Sequence, residues 1–405
     1  MRVPRSWRRI GFGAGVTVAA VAGGALLFAW GQARGRGSTP IQPGQECPPG
    51  MTMTRPGNCQ APEFPPPSIV DYRPRTTLVT SAHTVPLAKF PVVDSHNHTT
   101  ITAGNIAQMI AEMDELHLQV LVNLSGGGAA EVKQKVDFIR STPYADRFRV
   151  FANVNWSNAD APGWADRAVA DLTQAVKNGA VGLKIFKDLG MSTRKTDGSR
   201  LHVDDPLLTP VWDLCARLNI PVIIHTGEPQ EFFSPLDMHN ERWLELALFA
   251  DRRHYMPGEP TFAELMAERD RMYTAHPKTR YIGAHFDWYG NNLAKAAKQL
   301  DETPNLVLEV AAVLYDFGRQ PRAAHDFFVK YQDRILFGKD SYAASEFPYY
   351  WRVFETKDEY FDYYRDYHAF WKLYGMDLPD EVLKKLYYGN ALKTTPGLPQ
   401  TGWPR

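Results

Sequence analysis

The sequence predicts an α/β fold, a closed parallel (β/α)8 barrel, and three observations predict it. From residue 89 onward short apolar runs alternate with longer amphipathic stretches in one series of eight. No glycine fingerprint of the dinucleotide-binding kind follows the first apolar run, as an open doubly wound sheet of that type would show. At 405 residues the chain is long enough for a barrel of about 250 residues plus appendages.

The expected strands are residues 91–95, 118–124, 148–153, 180–186, 221–225, 280–285, 305–310 and 334–338. Helical periodicity falls between them at 105–117, 130–140, 164–177, 207–218, 262–273 and 292–300. The barrel is therefore expected over 89–396, with 397–405 as a tail. Gly126-Gly127-Gly128 lacks the Lys-Ser/Thr of a phosphate-binding loop and reads as a flexible connection. The long segment 228–260 after the fifth strand either walls a substrate or packs an extra helix. Aromatic residues from Tyr349 to Trp371 recur at helical spacing and read as core.

The beginning of the chain differs in kind. Arg2, Arg5, Arg8 and Arg9 precede an uncharged Gly-, Ala- and Val-rich run, so 1–37 reads as an export signal or an uncleaved membrane anchor. Either places the protein outside the cytoplasm, in the periplasm or an equivalent space, free or tethered. Arg8-Arg9-Ile10-Gly11-Phe12 shares only part of a twin-arginine pattern. Residues 38–88, with Pro65-Pro66-Pro67, read as an extended Pro-rich linker. In an exported segment Cys47 and Cys59 favour a disulfide, while Cys215 reads as a buried apolar residue.

Lys+Arg and Asp+Glu both number 45, so no net field points to nucleic acid, and a small-molecule substrate is the expected partner. Polar residues at the ends of apolar strands carry the functional reading, because a barrel of this type works at the C-terminal ends of its strands. The first strand ends in His96-Asn97-His98, and a two-residue period sends both imidazoles to one side. The fifth ends in His225, the sixth in His285 and the eighth in Asp340. Imidazole nitrogens and a carboxylate suit zinc or a similar divalent ion, with one position left for water. His285 and Asp340 suit acid–base work beside it. Lys184 ends the fourth strand, where it either reacts with carbon dioxide to bridge two ions or pairs with an acid such as Asp188. Arg319, after the seventh strand, is either a clamp for a substrate carboxylate or solvated surface.

This order of ligands resembles the amidohydrolase superfamily, specifically its amidohydrolase-related branch that includes the aminocarboxymuconate semialdehyde decarboxylase type. Gly182-Leu183-Lys184-Ile185-Phe186-Lys187-Asp188, Val203-Asp204-Asp205-Pro206 and Tyr388-Gly389-Asn390-Ala391 share in the likeness, which runs from about residue 90 to 396. The resemblance implies that His96, His98, His225 and Asp340 hold the metal and that His285 is catalytic or a ligand of a second ion. Lys339 departs from the threonine usual before that aspartate, and strand alternation turns it away from the metal. The implied activity is hydrolysis of an amide, ester or lactone by metal-activated water. Metal-dependent non-oxidative decarboxylation of a small carboxylic acid is the alternative, and a non-catalytic tethered binding protein is disfavoured by the His285–Asp340 pair.

Overall fold

The computed structural model describes residues 38–368 and 371–404. They fall into two compact units divided between Tyr72 and Arg73. The signal or anchor expected at 1–37 lies outside the described residues. Among the described residues no helix is long and apolar enough to cross a membrane.

In the first unit β1 (Ser38–Pro40), β2 (Thr52–Arg55) and β3 (Asn58–Gln60) form an antiparallel sheet in the order β1-β3-β2. Cys47 and Cys59 are joined in the expected disulfide, and Cys59 is fully buried. The sheet corrects the reading of 38–88 as linker throughout. A cross-link restricts the unfolded chain, so a small sheet forms here with few apolar residues to bury. The linker reading also ends too late. His83 donates its backbone N–H to Asp358 Oδ2 at 2.7 Å and Ala88 donates to Leu116 O at 3.2 Å, which fastens this stretch to the second unit before residue 89.

Among the described residues of the second unit, eight parallel strands make a ring: β4 (Val92–Asn97), β5 (Leu118–Asn123), β6 (Phe148–Val150), β7 (Leu183–Ile185), β8 (Val222–Ile224), β9 (Tyr281–Gly283), β10 (Leu306–Glu309) and β11 (Ile335–Leu336). Ladders join β4-β5-β6 and β7-β8-β9-β10-β11. Parallel bridges Ala152–Leu183 and Asn97–Asp340 close the two remaining gaps. All eight expected strands are present, several shorter than the apolar runs that announced them, because the flanking residues leave the ladder and continue as loop. Their near-continuous apolar character follows from burial on both faces.

The expected helices appear as Ile106–Leu116, Ala129–Arg140, Trp164–Lys177, Thr209–Arg217, Phe262–Ala275 and Leu293–Glu302. Phe262–Ala275 begins with a reciprocal capping box between Thr261 and Glu264, which satisfies backbone donors that helix starts leave open. Its buried face carries Arg269 and Tyr273.

Two sequence readings need correction. The aromatic stretch 349–371 is α-helical only up to Glu355 among its described residues; beyond it β12 (Phe361–Asp362) pairs antiparallel with β13 (Lys372–Leu373), with a short 3-10 turn at Asp366–His368 between them. Rings packed at a tilt, such as Tyr363 and Tyr364 at 4.3 Å between ring centres, bury the same aromatic surface without a helix. The glycines at 126–128 are tightly packed rather than loose, since a Cβ on Gly126 would collide with the backbone of Phe151.

Candidate metal centre

The strand ends bring the candidate side chains together. His96 lies within β4 and His98 one residue past it, and their Nε2 atoms approach to 3.2 Å. Asp340, after β11, places Oδ1 3.4 Å from His96 Nε2 and 3.7 Å from His98 Nε2. His285, after β9, completes a mutual set with His96 and Asp340 in which the donor atoms lie within 4.8 Å of one another. His225, after β8, joins through His285, its Nδ1 3.2 Å from His285 Nε2. Its own Nε2 faces the buried Glu228 carboxylate, 3.8 Å from Oε2.

Outer contacts orient the rings. Glu309, the last residue of β10 and fully buried, accepts from His96 Nδ1 at 2.8 Å and from the backbone N–H groups of His285 and Ala311, both at 2.6 Å. His285 Nδ1 donates to Ala311 O at 2.9 Å. With both Nδ1 protons committed, the Nε2 lone pairs of His96 and His285 face the site. Ser125 Oγ holds His98 Nδ1 at 2.8 Å. Gly338 allows the approach of β11, since a Cβ there would sit 2.5 Å from Glu309 Oε2.

Burial dominates the electrostatics. It drives His96 and His225 below the usual imidazole range, His98 down to about 4 and His285 down to about 3, with the Lys184 charge adding to the effect at all four. Burial works against the charged form of Asp340 too, but His285, His98 and Lys184 hold it below its ordinary value. The site thus presents neutral imidazoles and an ionised carboxylate. Neutral imidazole nitrogens 3.2 Å apart, with the Nε2 lone pairs of His96 and His285 directed inward beside an ionised carboxylate, fit a divalent cation, with His96, His98, His225, His285 and Asp340 as available donors.

The backbone at His285 is unusual. His285, Phe286, Asp287 and Trp288 have φ of 56°, 57°, 51° and 57°, a left-handed turn built from four side-chain-bearing residues. Such residues cost roughly 1–2 kcal/mol each, so the turn needs outside support. The buried Asp287 carboxylate accepts from Tyr273 Oη at 3.2 Å and Gln299 Nε2 at 3.0 Å, while Arg269 Nη1 donates to the Asp287 carbonyl at 2.9 Å. Gly283 leaves space for that carboxylate, which a Cβ would strike. Trp288 stacks on His285 with ring centres 4.8 Å apart.

The amidohydrolase family model matches residues 93–394, about three quarters of the chain and every residue of this centre. The chain belongs to the amidohydrolase family. Among solved structures this amidohydrolase is similar to an uncharacterised TIM-barrel protein from Bordetella bronchiseptica, at 15% identity over 75% of this chain and 98% of that one, with a TM-score of 0.48. It is similar also to a 2,6-dihydroxybenzoate decarboxylase complexed with 2,6-dihydroxybenzoate, at 14% identity, 76% and 98% coverage and a TM-score of 0.48. A dihydroxybenzoic acid decarboxylase from Polaromonas, with bound manganese and an inhibitor, gives 14%, 75%, 96% and 0.48. No curated protein matches the chain.

Three further sequence readings resolve differently in this amidohydrolase. Lys184 does not take Asp188 as its partner. Fully interior on β7, it sets Nζ 3.3 Å from His96 Nε2 inside the centre. Burial lowers its pKa and raises that of Glu309, each shift favouring the uncharged form. Arg319 is not a free clamp, since Glu241 takes its fork at 2.9 and 3.2 Å, Asp316 adds a contact at 3.0 Å and Trp371 packs on its face. Lys339 points away from the metal donors, as alternation implied, and pairs with Glu346.

Glu309 is the residue that sequence reasoning missed. It ends Leu306-Val307-Leu308-Glu309 as a polar group closing an apolar strand, the same signal that marked the histidines. Replacing Glu309 with Gln puts an amide N–H2 where the carboxylate accepts three donors. Metal affinity is expected to fall about 10–100-fold, measured by competition with a chelator, with the far-UV spectrum unchanged.

Proposed function

We propose that this amidohydrolase is a metal-dependent hydrolase that adds water to the carbonyl carbon of an amide, ester or lactone. The convergence of His96, His285 and Asp340 within 4.8 Å, with His98 and His225 in contact, carries the reading. His96, His98, His225 and Asp340 would hold one divalent ion, zinc by its donor set. When bound, the ion supplies Lewis acidity and lowers the pKa of coordinated water toward about 7. Asp340, kept ionised, accepts the proton of the attacking water. His285 faces the same space with its Nε2 lone pair and can carry a proton to the leaving group. Lys184 Nζ, buried beside His96, donates an N–H toward the negative charge that develops on the carbonyl oxygen. Export to an oxidising compartment belongs to this reading and is supported by the Cys47–Cys59 disulfide.

The test is a panel of esters, lactones, amides and aromatic carboxylic acids, assayed with zinc and after chelation. Hydrolysis that disappears on chelation and returns with zinc is expected. Carbon dioxide release without hydrolysis would establish instead the second reading, decarboxylation, which draws support from the half-buried Arg365 guanidinium, for which there is no acidic partner among the described residues.

Lys184→Ala separates a charge-stabilising lysine from a bridging one. The expected result is one ion per chain with or without bicarbonate and a rate about 10²-fold lower. Two ions retained only with bicarbonate, and lost in the variant, would assign Lys184 to the bridge.

A further inference from the structure

Asp340 reaches the centre from a strained backbone. Its φ of 82° places an aspartate in the left-handed region, where a side-chain-bearing residue costs roughly 1–2 kcal/mol. Such a conformation persists only where the surroundings over-determine it. Backbone bonds fix the peptide on the β4 side, with the Asp340 N–H on His96 O at 2.7 Å and the Asp340 carbonyl accepting the His98 N–H at 3.0 Å. They leave open the direction in which the chain departs, since β11 ends at Leu336 and the next α-helix begins only at Phe347.

Lys339 governs that departure. Its backbone N–H donates to Asp94 Oδ1 at 3.0 Å, and its side chain is fully buried. From this fixed base Nζ donates to the Ser341 carbonyl at 3.3 Å and pairs with the Glu346 carboxylate. One ammonium thus joins the residue before Asp340 to the residue after it, and both to the start of the helix Phe347–Glu355. The ring centres of Phe347, Tyr350 and Tyr364 stand 5.7, 5.8 and 5.5 Å from Nζ.

A buried pair of this kind adds little net stability, because an apolar pair of the same volume avoids the desolvation of two charges. Its effect here is geometric. Two acceptors on one Nζ, itself enclosed by three rings, leave the segment 340–346 little freedom. A threonine at 339, with its hydroxyl one bond beyond Cβ, is too short to span to Glu346.

We propose that Lys339 is a positioning residue: by bracing Ser341 and Glu346 across Asp340, it holds the left-handed backbone that aims the Asp340 carboxylate at the metal centre. The consequence for metal rests on the metal-centre reading, whereas the brace itself concerns the backbone alone.

The test compares the full wild-type chain with Lys339→Met, Glu346→Gln and the double variant. Zinc affinity, measured by competition with a chelator, is expected to fall about tenfold in Lys339→Met and several-fold in Glu346→Gln. The double variant is expected to lose no more than Lys339→Met, because both substitutions open one brace. In the metal-free chain, amide exchange at His98 and Asp340 is expected to quicken about tenfold in Lys339→Met, while exchange at Phe151, whose N–H is held by Asn123 O elsewhere in the ring, stays level. Unchanged zinc affinity in both single variants, losses that add in the double variant, or exchange that rises equally at Phe151 overturns the brace. Glu346 is partly exposed, so Glu346→Gln keeps the test valid should Lys339→Met fail to fold. A wild-type chain that binds no zinc overturns the metal-centre reading instead, and the exchange comparison still decides the brace.

Discussion

His96→Ala is expected to leave the protein without bound metal and without activity. Its Nε2 is the atom where the site meets, 3.2 Å from His98 Nε2, 3.4 Å from Asp340 Oδ1 and 3.3 Å from Lys184 Nζ. The substitution removes that nitrogen and also takes a hydrogen-bond donor from the buried Glu309 carboxylate. Metal-derived stabilisation of several kcal/mol corresponds to a loss of at least about 10³-fold in rate at 1.36 kcal/mol per decade. Elemental analysis of the purified variant should give less than about a tenth of the wild-type metal, and added zinc should not restore turnover. A variant that retains metal and rate, or a chelated wild type that retains full rate, would end the metal mechanism.

Residues within one strand period of an apolar run were the readable part of this centre. His96, His98, His225, His285 and Asp340 each follow a stretch that closes a barrel strand, and barrel geometry carries such positions to one mouth. Glu309 carries the same mark at the end of β10, whereas Arg319, the residue singled out after that strand, sits on the helix beyond it. What pattern could not supply is which charges neutralise each other across distant segments. Arg319 meets Glu241 from the loop after β8, a pairing 78 positions apart. The left-handed turn was equally hidden, because nothing in His285-Phe286-Asp287-Trp288 announces positive φ in the absence of glycine. The small sheet of the first unit escaped for another reason: a disulfide replaces the apolar periodicity by which strands are recognised.

Asp287→Ala is expected to cost both stability and catalysis, and the two effects share one cause. Arg269 is fully buried, with Asp287 on one side and the partly exposed Asp270 on the other. Removing the inner carboxylate leaves a desolvated guanidinium with half its compensation, a change that costs about 3–5 kcal/mol when a buried pair is broken. For a unit of this size the midpoint of thermal unfolding should fall by roughly 10 °C. Tyr273 and Gln299 lose their acceptor, so only the Arg269 bond to the residue 287 carbonyl, the Trp288 stack and the contacts of His285 remain against the strain of four left-handed residues in sequence. The turn relaxes toward ordinary backbone angles, and His285 Nε2 leaves its position opposite His225. Metal affinity and rate should therefore drop even well below the lowered unfolding midpoint, where the chain is still folded. Asp287→Asn keeps an acceptor of the same shape and should fall between the two, whereas a variant with wild-type melting and wild-type rate would show that the turn holds itself.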